Sequence, residues 1–453
     1  MSDRIFEITP QIRKYTELAR RHDTIPQDLY EGHHVMRGLR DLDGNGVITG
    51  LTSISEVYAK EIVDGKRIPC PGELYYRGYN VKDLIHAAQD EDRFVFEEAA
   101  YLLLNGELPT KQELADFTVE LSSRRTLPAN FTRDVIMKAP TRDVMVNLAK
   151  SVLALYSYDV NPTDISLENV MRQCMNLIAI FPRLAIHSYH AYRYVQGDSL
   201  YIHQPKPELS TAENILHMLR ADMQYTPFEA ATLDMALLLH MEHGGGNNST
   251  FTTRVVTSSG SDTYSTIAAA IGSLKGPKHG GANVKVMEMF DDIKEHVGDW
   301  ADEDEVSAYL KKILEGQAFD HTGLIYGIGH AIYSVSDPRA EIFREYVGRL
   351  AEEKGRLEEY RLYETVARKA PEIISGNRKM YKGVNTNVDF YSGFVYNMLG
   401  LPEELYTPFF AVARIVGWSA HRLEELVSAE KIIRPAYIET SERKAYTKMT
   451  DRH

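Results

Sequence analysis

One segment restricts the possible folds more than any other. Thr226, Pro227 and Glu229 are helix-start residues, and the body that follows, Ala230 to Leu239, carries apolar residues on every side of the helix it predicts. A helix without a polar stripe must run through the centre of a large molecule, covered all round by other elements. The chain can supply that cover: it has 453 residues, 43% hydrophobic and 25% charged, enough for one to three domains. Helical spacing with Gly and Pro punctuation recurs along most of its length, and alternating β-branched runs are scarce. Phe94 to Leu104 predicts a helix stopped by Gly106, and Ser210 with Glu213 predicts a capping box for a helix through Leu219. Strand signals occur only around Gly46 to Gly50 and in Gly72 to Tyr79, which together predict one small hairpin near the N-terminus. The polar stretches Gly298 to Glu305 and Glu341 to Arg368 read as surface helices of a peripheral subdomain. The expected fold class is all-α.

Charge narrows the function. Lys plus Arg is 51 against 64 Asp plus Glu, a net charge of −13, and no basic block interrupts that background. Nucleic acid and anionic membrane are therefore poor partners. A small acidic substrate remains open to such a protein, provided that a few cations gather in one pocket. Cys70 and Cys174 form neither a CxxC pair nor a metal-cage spacing, which fits a reducing cytoplasm. The N-terminal residues carry no apolar signal region, and no stretch reaches the roughly 18 apolar residues that span a bilayer, so a soluble, unexported chain is expected.

Several motifs invite a ligand and fall short. Asp41, Asp43, Asn45 and Gly46 open like a calcium loop, but position twelve is Thr52, where a bidentate Glu is required. Gly327-Ile328-Gly329 lacks the third glycine and preceding strand of a dinucleotide fingerprint. His240 and His243, three apart, predict a shared helix face with Glu242 between them, yet no third metal ligand stands at a useful spacing, and no metal is expected. Read together, three glycine-bracketed histidine segments carry more: Glu242-His243-Gly244-Gly245-Gly246-Asn247, Gly276-Pro277-Lys278-His279-Gly280-Gly281-Ala282-Asn283, and Gly327-Ile328-Gly329-His330. Glycine beside a histidine removes bulk, so that a ligand can approach and the imidazole can face a cleft. Asn387-Val388-Asp389-Phe390 adds a carboxylate in a mostly apolar stretch, and Asp337-Pro338-Arg339 lies nine residues beyond His330. Arg414, between Phe409 and Trp418, has neighbours built for burial and needs an anion, either an internal carboxylate such as Glu424 or Glu425 or a bound one. Arg434 follows in similar surroundings.

In this order, these segments resemble the citrate synthase family, from the hairpin near Leu74 to Arg434-Pro435. The resemblance implies an all-α, two-domain fold with a small N-terminal β-hairpin. A large domain would comprise residues 1–281 and 392–453, and a small domain, 282–391, would close on the substrate. It implies an acyltransferase that condenses acetyl-CoA with oxaloacetate, giving citrate and CoA. His279 would hydrogen-bond the thioester carbonyl, Asp389 would take a proton from the acyl methyl, and His330 would act on the keto oxygen. His243, Arg339, Arg414 and Arg434 would hold the oxaloacetate carboxylates, Arg434 reaching into the neighbouring subunit's site of a homodimer. CoA, a cosubstrate rather than a tightly bound cofactor, would lie along His321 to Gly329, with Gly327, Ile328 and Gly329 offering backbone contacts. Ser334 stands where many members carry Arg or Lys near the CoA phosphates. A 2-methylcitrate synthase using propionyl-CoA would share this machinery, since one methylene is worth only about 1–3 kcal/mol of discrimination. The fold alone would also permit a noncatalytic CoA- or citrate-sensing scaffold.

The chemistry asks for such residues independently. Proton abstraction beside a thioester needs a base within reach and a donor where charge develops on oxygen. The residues after His279, Asn283 to Ile293, predict a helix whose N-terminal dipole disfavours an imidazolium there. A neutral imidazole can donate a hydrogen bond without first being protonated, as in triosephosphate isomerase.

Overall fold

A computed structural model describes residues 7–41, 46–330, 332–377, 384–428 and 431–452. The chain divides into two compact units, Met1–Leu51 and Thr52–His453. The first holds α1 (Pro10–His22), whose N-cap Thr9 accepts from the Ile12 amide, and the short α2 (Gln27–Gly32).

The second unit opens on a three-stranded antiparallel sheet, β1 (Ser55–Val63), β2 (Lys66–Tyr76) and β3 (Tyr79–Asn80). Helices follow: α3 (Val81–Asp90), α4 (Phe96–Asn105), α5 (Lys111–Ser123), α6 (Val144–Leu155), α7 (Leu167–Val195), α8 (Thr211–Leu219), α9 (Pro227–Met241), α10 (Asn248–Ser258), α11 (Thr263–Leu274), α12 (Ala282–His296), α13 (Glu303–Leu314), α14 (Pro338–Glu353), α15 (Leu357–Asn377), α16 (Val388–Met398) and α17 (Tyr406–Ser428). The fold is all-α apart from that sheet. Among the described residues no helix is long and apolar enough to cross a membrane, and both cysteines are free and buried.

The hairpin differs in place from the sequence expectation. Residues 46–50 form no strand; Gly46 makes only an isolated bridge to Arg40. The first strand is Ser55–Val63, and the turn is Asp64-Gly65, both at positive φ (51° and 76°) between the paired Val63 and Lys66. That two-residue Asp-Gly turn twists in the sense that antiparallel strands require. Of the calcium-like sequence, residues 42–45 lie outside the described residues, and Thr52 donates to the Glu424 carboxylate (2.7 Å).

The apolar α9 does run through the core. It starts where Thr226, Pro227 and Glu229 predict, with Thr226 and Glu229 forming a capping box, and the expected Ser210–Glu213 box opens α8. A buried acid on α9, Asp234, accepts from the Val95 and Phe96 amides (2.6 and 3.3 Å) and so caps α4, which ends at Gly106 with φ 95°. The longest helices, α7 and α17, pack on one another, and α17 also packs on α9 and α10. Further along, α12 to α16 pack mainly among themselves: α12 on α16, α13 on α15, and α14 on α15 and α16. Of the stretches expected at the surface, Gly298 to Asp302 is turn preceding α13, while Glu341 to Arg368 covers α14, which buries Ile342, Phe343 and Leu350, and half of α15.

Glu229 does more than cap. Its carboxylate accepts from the Thr226 amide (2.8 Å), both Arg220 terminal nitrogens (2.8 Å each) and Lys354 Nζ (2.6 Å). Although burial opposes ionisation, these donors hold its carboxyl down at about 2. Glu229→Gln should therefore cost about 2–3 kcal/mol in urea unfolding at neutral pH. A carboxyl depressed in the folded state stabilises above its unfolded value and loses that contribution as pH falls. The gap between variant and wild type should thus narrow between about pH 4.5 and 2.

Candidate active site

Three of the predicted groups sit where loops meet helix starts, and a fourth where a helix ends. Asp389 occupies the first turn of α16, with Asn387 as N-cap accepting its amide (3.0 Å). Arg339 occupies the first turn of α14, where Asp337 caps and Pro338 takes the position that needs no N–H. His279 lies in the turn that leads into α12, two residues before its N-cap Gly281, near the helix start expected for it. His243 lies just past α9, which ends at Met241. It therefore does not share a helix face with His240: Glu242 is already extended (φ −151°), while the His240 ring stays in the core, stacked on Phe410 at 3.7 Å between centroids.

Asp337 is the clasp of the site. Its carboxylate accepts from the Arg339 amide (3.0 Å), Arg339 Nε (3.0 Å) and Nη2 (2.7 Å), and from the Val388 amide (3.2 Å). One acid thus ties the starts of α14 and α16 together and pairs with a guanidinium that is only 3% exposed. A second tie runs alongside. Gly329 N donates to Asn385 O (2.7 Å), Asn387 N to Gly327 O (2.9 Å), and Asn387 Nδ2 to Gly329 O (2.8 Å). The His330 loop is thereby sewn to the segment that delivers Asp389. These bonds engage backbone groups of Gly327 and Gly329, and Ile328 pairs with Thr386 in a bridge. Gly327 has φ 79°, and a Cβ there would sit 2.9 Å from Phe390 Cδ2 and 3.0 Å from Val286 Cγ2, so glycine is required for packing as well as conformation. Likewise the space beside Gly280 is filled by Leu274 O and Thr407 Cγ2. The glycines at these two positions admit the protein's own atoms.

His330 Nδ1 accepts from the Ile332 and Tyr333 amides (3.1 Å each). An accepting Nδ1 leaves the ring proton on Nε2, beside Arg339 Nη2 at 3.5 Å. The His243 and His330 rings meet edge to face with centroids 5.5 Å apart. His279 Nε2 lies 3.2 Å from Ser249 Oγ, which Trp418 Nε1 also reaches at 3.1 Å, so Nδ1 turns away from Ser249.

The electrostatics separate the groups. Burial, then Arg339 and other site cations, hold His243 well below the ordinary imidazole value. Burial and then Arg414 bring His279 down to about 4, so it is neutral at pH 7. Asp389, half-buried, moves the other way: burial raises its carboxyl to about 6 against the opposing pull of Arg339, with Asp337 pushing further up. A carboxyl near 6 is a base matched to neutral pH. Arg414 is 2% exposed; its Nε donates to His240 O (2.6 Å) and its Nη1 has no protein partner among the described residues. Glu424 and Glu425, the internal acids open to it from the sequence, are both paired with Arg254, and the internal acid that bears most on Arg414 is instead the buried Glu242. A buried guanidinium with a spare donor fits a bound carboxylate.

The structure brings His243, His279, His330, Arg339, Asp389 and Arg414 into one electrostatic neighbourhood. Arg434 is not among them; it is exposed in the C-terminal segment after α17. Sequence reasoning passed over the buried support beneath His243. Glu242 Oε1 accepts from Ser55 Oγ (2.9 Å) and lies 3.0 Å from His421 Nε2, whose Nδ1 lies 2.7 Å from Arg254 Nη2. It also passed over Tyr333, in ring contact with both His243 and His330. Nothing in local spacing marks either. Asp337 was legible as an N-cap before Pro338. Among the described residues no cluster of three or more His, Cys, Asp or Glu could hold a metal ion.

An all-α chain thus sets a carboxyl of raised pKa near two neutral histidines and two buried arginines, the kinds of group that proton abstraction beside an anion requires. A family described as "Citrate synthase, C-terminal domain" matches residues 41–436. The chain belongs to the citrate synthase family, whose members are transferases. It is 34% identical to the citrate synthase of Synechocystis sp., over 84% of this chain and 88% of that one. It is also 34% identical to the 2-methylcitrate synthase of Shewanella oneidensis, over 82% and 90%. Among solved structures, citrate synthase from Thermoplasma acidophilum, in a ternary complex with carboxymethyl coenzyme A and oxaloacetate, superposes with a TM-score of 0.74 at 26% identity, covering 92% of this chain and 99% of that one.

Carbon-13 NMR of the Asp389 carboxyl should show titration near pH 6. Arg339→Gln should move that midpoint up, because it removes the largest influence opposing burial, and Asp337→Asn should move it down.

Proposed function

We propose that this chain is a citrate synthase, condensing acetyl-CoA with oxaloacetate and water to give citrate and CoA. The observation that carries the reading is the Asp389 carboxyl, raised to about 6 and acted on by Arg339 and Arg414. Oxaloacetate is held by its carboxylates on Arg339, Arg414 and His243, the spare Arg414 Nη1 among the donors. Asp389 takes a proton from the acyl methyl, and neutral His279 donates to the thioester oxygen as charge develops there. The enolised carbon attacks the keto carbon, whose oxygen receives the proton of His330 Nε2. Water then cleaves the citryl thioester: its oxygen bonds the acyl carbon as the C–S bond breaks, its protons go to the CoA sulfur and back to His330, and Asp389 releases the methyl proton to solvent, leaving citrate and CoA.

The remaining expectations belong to the same proposal. CoA lies along His321 to Gly329 as a cosubstrate, with Gly327, Ile328 and Gly329 as its backbone wall. Residues 282–391 act as a small domain that closes on the remainder, a division supported by the mutual packing of α12 to α16. The enzyme works in the cytoplasm as a homodimer, and Arg434, exposed in its own chain, completes the partner's site. The 34% identity to a 2-methylcitrate synthase keeps propionyl-CoA as the second reading.

Thiol release from acetyl-CoA and from propionyl-CoA, each with and without oxaloacetate, tests this directly. Oxaloacetate-dependent release that favours acetyl-CoA is expected; a propionyl preference moves the assignment to methylcitrate synthesis, and no release from either refutes the enzyme reading. Asp389→Asn should lower kcat by about 10²–10⁴-fold. In the wild type, kcat/KM should fall below about pH 6, because a protonated Asp389 cannot accept the methyl proton. Dilution to a monomer, or Arg434→Ala, should abolish turnover while leaving the fold intact.

A further inference from the structure

Between β2 and the site stands Tyr333, which none of the proposed chemistry uses. The residue is 2% exposed, and its ring lies 5.6 Å from the His243 ring and 4.9 Å from the His330 ring, centroid to centroid, with the Arg339 guanidinium carbon 5.8 Å over it. Its amide is one of the donors that fix His330 Nδ1. One aromatic side chain therefore touches three groups of the site: two assigned to holding oxaloacetate and one to its keto oxygen.

What seats Tyr333 is an irregularity in the hairpin. Tyr58 pairs with Glu73 and Lys60 with Pro69, so the register breaks and the residues 70–72 opposite have no ladder partners. The Gly72 amide, released from the ladder, donates to Ser336 O (3.1 Å), and the Tyr333 hydroxyl reaches Glu73 O (3.4 Å). A Cβ on Gly72 would lie 2.5 Å from Tyr333 Cδ1 and would collide with Ser336 O. The same hairpin holds the other histidine loop: Ser55 bonds Glu242, the Tyr76 hydroxyl accepts from the Glu242 amide (3.1 Å), and Val57 packs beside Gly244. The hairpin thus touches both the loop of His243 and the loop of His330 and Arg339.

We infer that Tyr333 is a positioning residue for the keto-dicarboxylate, setting the spacing of His243, His330 and Arg339, and that Gly72 in the β2 irregularity is the seat that fixes its place. This rests on the reading of those three residues as the oxaloacetate site. The ring, rather than the hydroxyl, carries the effect, since the three contacts are to the ring and the hydroxyl bond is long.

Calorimetric binding of oxaloacetate without acyl-CoA, paired with steady-state kinetics, tests the inference. Tyr333→Ala should weaken oxaloacetate binding by about tenfold or more, a loss of about 1.4 kcal/mol, with the acetyl-CoA KM unchanged within about twofold. Tyr333→Phe should restore wild-type binding, and Gly72→Ala, whose methyl displaces the ring, should follow Tyr333→Ala. Wild-type affinity in Tyr333→Ala, or an equal loss for both substrates, would overturn the inference alone. Oxaloacetate binding with this variant pattern but without thiol release would support it while the synthase reading fails. A wild-type protein that does not bind oxaloacetate would overturn both.

Discussion

The starts of α14 and α16, and the groups they carry into the candidate site, depend on one buried ion pair. Asp337 holds the Arg339 guanidinium in a two-point grip, caps α14, and accepts the Val388 amide that opens α16. A guanidinium or carboxylate at this depth is costly to bury, and each of these two offsets the desolvation of the other. Burial opposes Asp337's ionisation, but Arg339 keeps its carboxyl below the usual range, and Asp337 in turn keeps Arg339 charged. Because the acid also holds the first turn of α16, charge compensation and the placing of Asp389 are one interaction. The backbone ties between 327–329 and 385–387 extend that rigidity to His330.

The cations then set the protonation of what surrounds them. Arg339 and Arg414 lie deep in a chain of net charge −13, and their field, added to burial, keeps His243 and His279 neutral. The same field works against burial at Asp389 and leaves its carboxyl near 6, neither a buried acid that never ionises nor an exposed one too weak to abstract a proton. A chain that repels anions overall can bind a dicarboxylate when two guanidinium groups are desolvated and one retains an unmatched donor.

The extent of legibility differs from residue to residue. The burial of Arg414 could be read from its apolar neighbours, but which acid faces it could not: Glu424 and Glu425 pair with Arg254, and Glu242, far away in sequence, is the internal acid that bears on Arg414. The capping box of α8 and the start of α9 were visible because the residues that form each lie within four positions. The hairpin's existence was anticipated but its first strand was misplaced, because glycines around 46–50 outweighed the Asp64-Gly65 turn. His240 and His243 were given one helix face from their spacing, and the helix ended between them.

Sequence alone determined the all-α class, the buried central helix and the set of residue types that can carry the chemistry, because helical period, caps and the resemblance to one family are properties of short or ordered segments. Tertiary structure alone decided which charges meet. Asp337 reaches Val388 across 51 positions, Glu242 reaches His421 across 179, and Gly72 reaches Ser336 across 264. Protonation states follow from those meetings, since the pKa of a carboxyl or an imidazole answers to burial and to charges a few ångströms away in space, wherever they stand in the chain.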